Sequence, residues 1–369
     1  MRFPEFSGEW EKHSLGEIGE TIIGLTYKPS DVVENKGTIV FRSSNIQNGA
    51  IDYSDLVRVN KTIKTRMITK VNDILVCARN GSQRLIGKNA IIKQGDTNNT
   101  FGAFMMVYRS EDNQFIFPLL STKRYISQVG ENLGARINQI TTSDFNGFEF
   151  YFPTNHKERT KISELFRLLD ERIAAQNKII EDLKKLKSAI SHILFSSKGA
   201  IHLSEIANVV MGQSPSSNAY NDQGLGMPLV QGNLDISNGK TTPRLYTAEF
   251  NQTTEKGNII LTVRAPVGEV AKATQKVCLG RGVCAIIPHE ENMSDFIYQY
   301  LTFYKFMWRR YEQGSTFTSI NGSDVRNIFC PKVRNVSILT LLDIKINIEE
   351  RVVKQYQSQK QYMLYQMFI

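Results

Sequence analysis

The sequence predicts an α+β protein made of two similar globular domains separated by two long helices, which pair as an antiparallel coiled coil about an approximate two-fold axis. Three observations lead there. Motifs in the first half of the 369 residues recur in order in the second half. Short Val-, Ile- and Phe-rich segments bounded by Asn-Gly and other glycine turns fill each repeat. Each repeat then gives way to a run in which apolar residues recur with period 3.5 instead of 2.

The repeat is read first, because it governs every later assignment. Leu15-Gly-Glu-Ile18 recurs as Leu203-Ser-Glu-Ile206, Gly24 as Gly212 and Asn45 as Asn233, all 188 positions apart. Asp73-Ile74-Leu75 with Arg79 answers Asn258-Ile259-Ile260 with Arg264 at a spacing of 185, and Gly134, Ile140 and Ser143-Asp144 answer Gly314, Ile320 and Ser323-Asp324 at 180. Order is kept while the spacing shrinks, as loop deletions in the second copy require. Asn48-Gly49 and Asn238-Gly239 are matching hairpin signals. The resulting boundaries are 1–153 and 199–336 for the globular domains, with spacer helices at 154–198 and 337–369.

In the first helical run Phe166, Leu169, Ile173, Gln176, Ile180, Leu183, Lys187 and Ile190 step by alternating threes and fours, a heptad seam. In the second, Leu339, Leu342, Ile346, Glu349, Val353, Tyr356, Lys360 and Met363 do the same, each 173 positions after its counterpart, polar interruptions included. Pro153, Asn155 and Glu158 mark the first helix start with a capping-box spacing. The second start, Asn335-Val336-Ser337, lacks the glutamate, so its first turn is expected to fray. Helices of ~35–40 residues extend ~50–60 Å at ~1.5 Å per residue, more than one domain of this size covers, so the two stripes are expected to cover each other. Chain order then makes the pair antiparallel and places the domains at its two ends.

Composition narrows the function classes. With 45 Lys and Arg against 36 Asp and Glu the net charge is +9, which favours polyanionic partners such as nucleic acid without dictating one. No run reaches the ~18 apolar residues of a membrane span, and Met1 to Phe6 has no apolar leader core, so a cytoplasmic protein without membrane contact is expected. Cys77, Cys278, Cys284 and Cys330 stand singly in apolar surroundings, as reduced core thiols do. Enzyme signatures are wanting. Gly81 to Asn89 resembles a P-loop, but five residues separate its glycines and Asn89 stands where Ser or Thr must hold Mg²⁺. His13, His156, His192, His202 and His289 form no metal-ligand spacing, so no metal site and no catalytic residue are expected.

At this point the residues carry a resemblance. The leader Arg2-Phe3-Pro4-Glu5-Phe6 before Leu15-Gly-Glu-Ile18, the Asp73-Ile74-Leu75 strand followed by Arg79-Asn80-Gly81-Ser82, the helix with Ile173-Ala-Ala-Gln176, Leu183 and Leu186-Lys187, and the end Gln361 to Ile369 together resemble the specificity subunit of a type I restriction-modification system, over nearly the whole chain. That resemblance implies a non-catalytic subunit with two target-recognition domains. Each would read one half-site of a bipartite, asymmetric sequence in double-stranded DNA. It implies as partners two methyltransferase (modification) subunits and the restriction/translocase subunits. S-adenosylmethionine, ATP and Mg would belong to those partners, and this chain would hold no cofactor. Ile179, Leu186 and Ile193, off the seam, offer apolar surface for a partner or for the chain's own domains.

Candidate DNA-contacting residues follow from polar tips at the ends of apolar strands. Asn80, Ser82, Gln83, Arg84 and Lys88 form the first group; such side chains donate to base edges, arginine to guanine and asparagine or glutamine to adenine. The second group is Arg42, Ser44 and Asn45, matched by Gln231 and Asn233. The third is Arg136, matched by Ser315 and Thr316. Arg264 occupies the shorter, less polar loop that matches Asn80 to Arg84, so the two domains are expected to read different sequences. A solvated hairpin tip is the competing reading for each group, and a two-headed protein-interaction adaptor without nucleic-acid binding is the competing function.

Overall fold

The computed structural model describes residues 2–135, 138–196, 201–310, 319–332 and 335–368. The chain divides into two compact units, residues 1–176 with 352–369, and residues 177–351. The division falls inside the long helices His156–Phe195 and Ser337–Met367, so each unit holds one globular domain and a part of each helix.

In the first unit one antiparallel sheet runs in the order Glu20–Ile23, Met105–Arg109, Ile74–Cys77, Asn89–Ile91. A second sheet runs Thr100–Phe101, Thr38–Phe41, Arg58–Val59, Val32–Val33, its first pair parallel. The strand Ile74-Leu-Val-Cys77 is apolar throughout because the first sheet is covered on both faces. Leu75 and Cys77 face the second sheet's Phe41 and Phe101, whereas Ile74 and Val76 join Tyr108, Phe115, Phe145 and Phe150 on the other side. The second unit repeats the scheme. Ile259 and Leu261 face a core with Phe296, Tyr300 and Trp308, and Ile260 faces one with Val230, Leu279 and Ala285.

Paired local devices underlie the repeat. Asn48 and Gly49 have φ of 50° and 76°, Asn238 and Gly239 of 50° and 68°, and each pair closes a two-residue hairpin. Both central residues are left-handed, as the primed turns of tight hairpins demand. Gly24 and Gly212 are glycine because another backbone passes over them: a Cβ would lie 2.0 Å from the Gly102 carbonyl oxygen in one domain and 2.2 Å from that of Gly280 in the other. The N–H of Leu15 donates to Phe148 and that of Leu203 to Ile328, closing the base of each domain.

Within the first unit Asp170 meets Lys360 at 2.5 Å and Arg172 meets Tyr356 at 3.2 Å; within the second, Lys184 meets Glu350 at 2.7 Å and Lys187 meets Asp343 at 2.6 Å. In each unit the partner's number falls as the first helix advances, so the helices run antiparallel. Phe166, Ile180, Leu339, Ile346 and Val353 are buried, and Leu169, Ile173, Leu183, Ile190, Leu342, Tyr356 and Met363 half-buried. The first helix start departs from its expected cap. Asn155 accepts the N–H of Lys157, but Glu158 is fully buried and grips Arg2 through two 2.7 Å bonds, so it anchors the amino-terminal segment instead of returning to the cap. The second start is held better than its sequence suggests, because the Asn335 side chain accepts the Ser337 N–H at 2.9 Å and Leu339 is buried one turn on. Among the described residues no helix is long and apolar enough to cross a membrane.

Candidate nucleic-acid interface

In the first domain three segments that are distant in sequence converge at the ends of the central strands. Arg79 bridges Gln139, the Ile140 N–H donates to the Ala78 carbonyl at 2.8 Å, and the Asn138 side chain reaches the Gly81 carbonyl at 3.2 Å. Asn80 donates from Nδ2 to the Ser43 hydroxyl at 2.9 Å, tying this pair to the turn after strand Thr38–Phe41. The second domain makes the same convergence: Arg264 bridges Ser319, the Ile320 N–H donates to Val263 at 3.0 Å, and the Gln231 backbone lies against Gly282, whose carbonyl accepts from Val263 at 2.9 Å.

The individual side chains sort by what is left for a ligand. Ser44, Ser82, Gln83, Arg84, Asn233 and Arg264 are exposed, whereas Arg42, Lys88 and Gln231 are half-buried. Arg42 pairs with the exposed Asp55 at 2.8 Å, and its buried Nε has no partner among the described residues. Arg136, Ser315 and Thr316 lie outside the described residues.

Two candidates are corrected. Asn45 is fully buried; its Oδ1 accepts the Arg42 N–H at 2.9 Å and its Nδ2 donates to the carbonyls of Asp52 and Asp55 at 3.0 and 2.8 Å. Every polar group of that side chain is committed to shaping the turn, so Asn45 positions neighbours and reads no base. Asn80 is largely spent as well, accepting the Ser82 N–H through Oδ1 while Nδ2 holds Ser43.

The pairing of Asn45 with Asn233 also fails. The side chain that does the work of Asn45 in the second domain is Asp235, which is buried and accepts the Gln231 N–H at 2.9 Å, its other oxygen held by Arg244 at 3.0 Å. The signal was present: Asn45-Ile-Gln-Asn-Gly49 reads against Asp235-Ile-Ser-Asn-Gly239. Matching by identity missed the carboxylate–amide exchange. Arg79, exposed at the junction of the loops, was absent from the candidates for base contact although its repeat partner Arg264 was among them.

The P-loop lookalike has no phosphate cradle. The Gly87 N–H donates to Cys77 and that of Lys88 to Leu85, so the amides that would face a phosphate are occupied. Burial pushes the Cys77 thiol up to about 11 and those of Cys284 and Cys330 up to about 12, which keeps them protonated and unreactive at neutral pH.

Comparison with known proteins settles what kind of molecule this is. The family model for the type I restriction modification DNA specificity domain matches twice, over residues 7–185 and 199–355. The chain belongs to that family. It is 29% identical over 359 residues to the MjaX type I restriction enzyme specificity subunit of Methanocaldococcus jannaschii, covering 89% of this chain and 84% of that one. It is 27% identical over 192 residues to the EcoKI specificity subunit of Escherichia coli, covering 49% of this chain and 41% of that one. Its fold matches that of the type I restriction-modification S subunit from M. genitalium at a TM-score of 0.65, with 20% identity and coverage of 100% and 99%. Membership makes it a DNA specificity protein, a non-catalytic class whose chemistry lies in partner subunits.

Proposed function

We propose that each domain reads one half of a bipartite, asymmetric duplex target through its three-loop surface, with Ser82, Gln83 and Arg84 chief in the first domain and Asn233 and Arg264 in the second. The observation that supports this is the pairing of equivalent backbone junctions with unlike tip residues: one scaffold, two chemistries. Phosphate contacts set the register, and tip side chains in the groove discriminate bases. The long helices recruit two methyltransferase (modification) subunits and, in the complete assembly, the restriction/translocase subunits. S-adenosylmethionine, ATP and Mg act in those partners. Exposed Ile179, Leu186 and Ile193, spaced by seven along one helix, favour a partner surface there.

The test is a map of methylated adenines in cells with and without this chain, alongside competition binding of the isolated chain to duplexes varied in one half-site at a time. The expected result is loss of one bipartite methylation motif and two independently mutable half-sites. No binding to any of the duplexes, with an unchanged methylation map, would favour the adaptor reading.

A further inference from the structure

Phe104 stands outside the set of polar tips, yet it occupies the centre of the first domain's loop junction. Its carbonyl accepts both the Ala78 and the Arg79 N–H at 3.0 Å, so the turn that carries it is fixed by the strand leading into the Asn80–Arg84 loop. Phe104 is 59% exposed, and the Arg79 guanidinium sits 5.4 Å from its ring centroid. Single exposed aromatics are ordinary on protein surfaces. This one sits on a turn whose carbonyl is held by two backbone N–H groups, with a guanidinium over its ring.

The second domain shows what the scaffold itself requires at that position. Gly282 is the counterpart of Phe104, because Val263 donates to its carbonyl just as Ala78 donates to that of Phe104. There a Cβ would lie 2.1 Å from the Gln231 carbonyl oxygen, so no side chain fits. The fold is therefore built with or without a ring at this place, and the ring is a property of the first domain's surface alone.

We propose that Phe104 is a specificity-determining residue of the first domain, which stacks against a base step of its half-site that the bound duplex has locally unstacked, with Arg79 anchoring an adjacent phosphate or base edge. This rests on the reading of the domain as a half-site reader. Apolar wedges of this type kink duplexes at flexible steps, and base–aromatic stacking is lost on truncation to alanine.

The experiment uses the full-length chain and duplexes in which 2-aminopurine replaces single adenines through the first half-site. The wild type is expected to change the fluorescence at one position, Phe104→Ala to abolish that change and weaken binding about 10-fold, and Phe104→Trp to restore both. The exposure of the ring keeps Phe104→Ala folded, which unaltered thermal melting checks. Arg79→Gln and the double variant separate stacking from mere support of the arginine: additive losses support the proposal, whereas a double variant no weaker than Arg79→Gln overturns it. An undiminished fluorescence change in Phe104→Ala also overturns it. If the wild type shows no half-site preference at all, the half-site reading falls instead.

Discussion

The two domains place the same backbone groups in the same relations and spend different side chains on top of them. Arg42 in one meets Gln231 in the other, Asn45 meets Asp235, Phe104 meets Gly282, while Arg79 and Arg264 hold identical bridges. Of these exchanges only that of Asn45 for Asp235 involves a side chain buried in both domains, and there either residue supplies the acceptor that the turn requires. The difference separates positioning from reading: a polar side chain buried in the same turn of both domains is scaffold, and an exposed one on that scaffold is a candidate for recognition.

The sharpest way to break that separation is to exchange a whole domain. Residues 10–153 contain the whole of one core of the first domain and most of the other, whose remaining buried members Ile162, Phe166, Leu364 and Met367 lie on the long helices, and the strand Trp10–Ser14 must travel with its partner Glu149–Pro153. Replacing this stretch by the counterpart from another specificity subunit should change one half of the methylated motif completely and leave the other untouched. A change in both halves, seen by methylation mapping, would show that the domains form one reading surface.

Next in size is the turn anchor. Asn45→Ala removes one acceptor and two donor bonds from a fully buried site, and unsatisfied groups there cost about 3 kcal/mol together. Asp235→Ala should cost less, about 1–2 kcal/mol, since its second partner, Arg244, is exposed enough to be hydrated when released. Urea unfolding measures both. Equal losses would mean that the Arg244 pair holds its turn as firmly as the two carbonyl bonds hold that of Asn45.

How much of this was legible in the sequence follows from the range of the interactions. Glycines under a crossing strand, Asn-Gly hairpins and heptad steps each impose a local rule on residue type, so Gly24, Gly212, Asn48-Gly49 and the Phe166–Met363 register could be read directly. The convergence of residues 42–45, 79–84 and 138–140 depends on strand pairing across the domain, which leaves no mark at a fixed spacing. Burial of Asn45 was illegible for the same reason: its three partners are backbone groups, and backbone has no residue identity to match. Phe104 was hidden because a lone phenylalanine after Gly102 reads as strand core until the turn is seen.

A smaller expected effect concerns charge at the exposed tips. Arg84→Ala in the first domain and Arg264→Ala in the second should each weaken DNA binding a fewfold, and a cation that neutralises a phosphate should lower the slope of log affinity against log salt by ~0.9. If Arg84 instead reads a guanine edge, its loss relaxes one base position in the first half-site, while the slope is retained. Binding titrations at several salt concentrations on matched and substituted half-sites distinguish the two. An Arg84 variant that altered the second half-site would contradict the division of labour between the domains.

The smallest effects belong to the helices, where the halves are most alike. Lys187 pairs with Asp343 and Lys360 with Asp170, each 173 positions apart in register, and the lysines are only 18% and 16% exposed. Their surroundings differ in one respect: Asp343 also accepts a 2.7 Å bond from the buried Gln299, whereas no second donor to Asp170 is found among the described residues. A lysine this sheltered has given up much of its hydration, so the pair returns little net stability. Truncation to methionine, which keeps the apolar stem, is expected to change stability by about 1 kcal/mol or less at either site. Lys187→Met should be the milder, since Gln299 continues to satisfy Asp343. Lys184, exposed and paired with Glu350, should show nothing beyond ~0.5 kcal/mol. If Lys187→Met proves clearly more damaging than Lys360→Met, then the Gln299 bond depends on the lysine, and the two half-seams are coupled to their own domains more tightly than their matching sequences suggest.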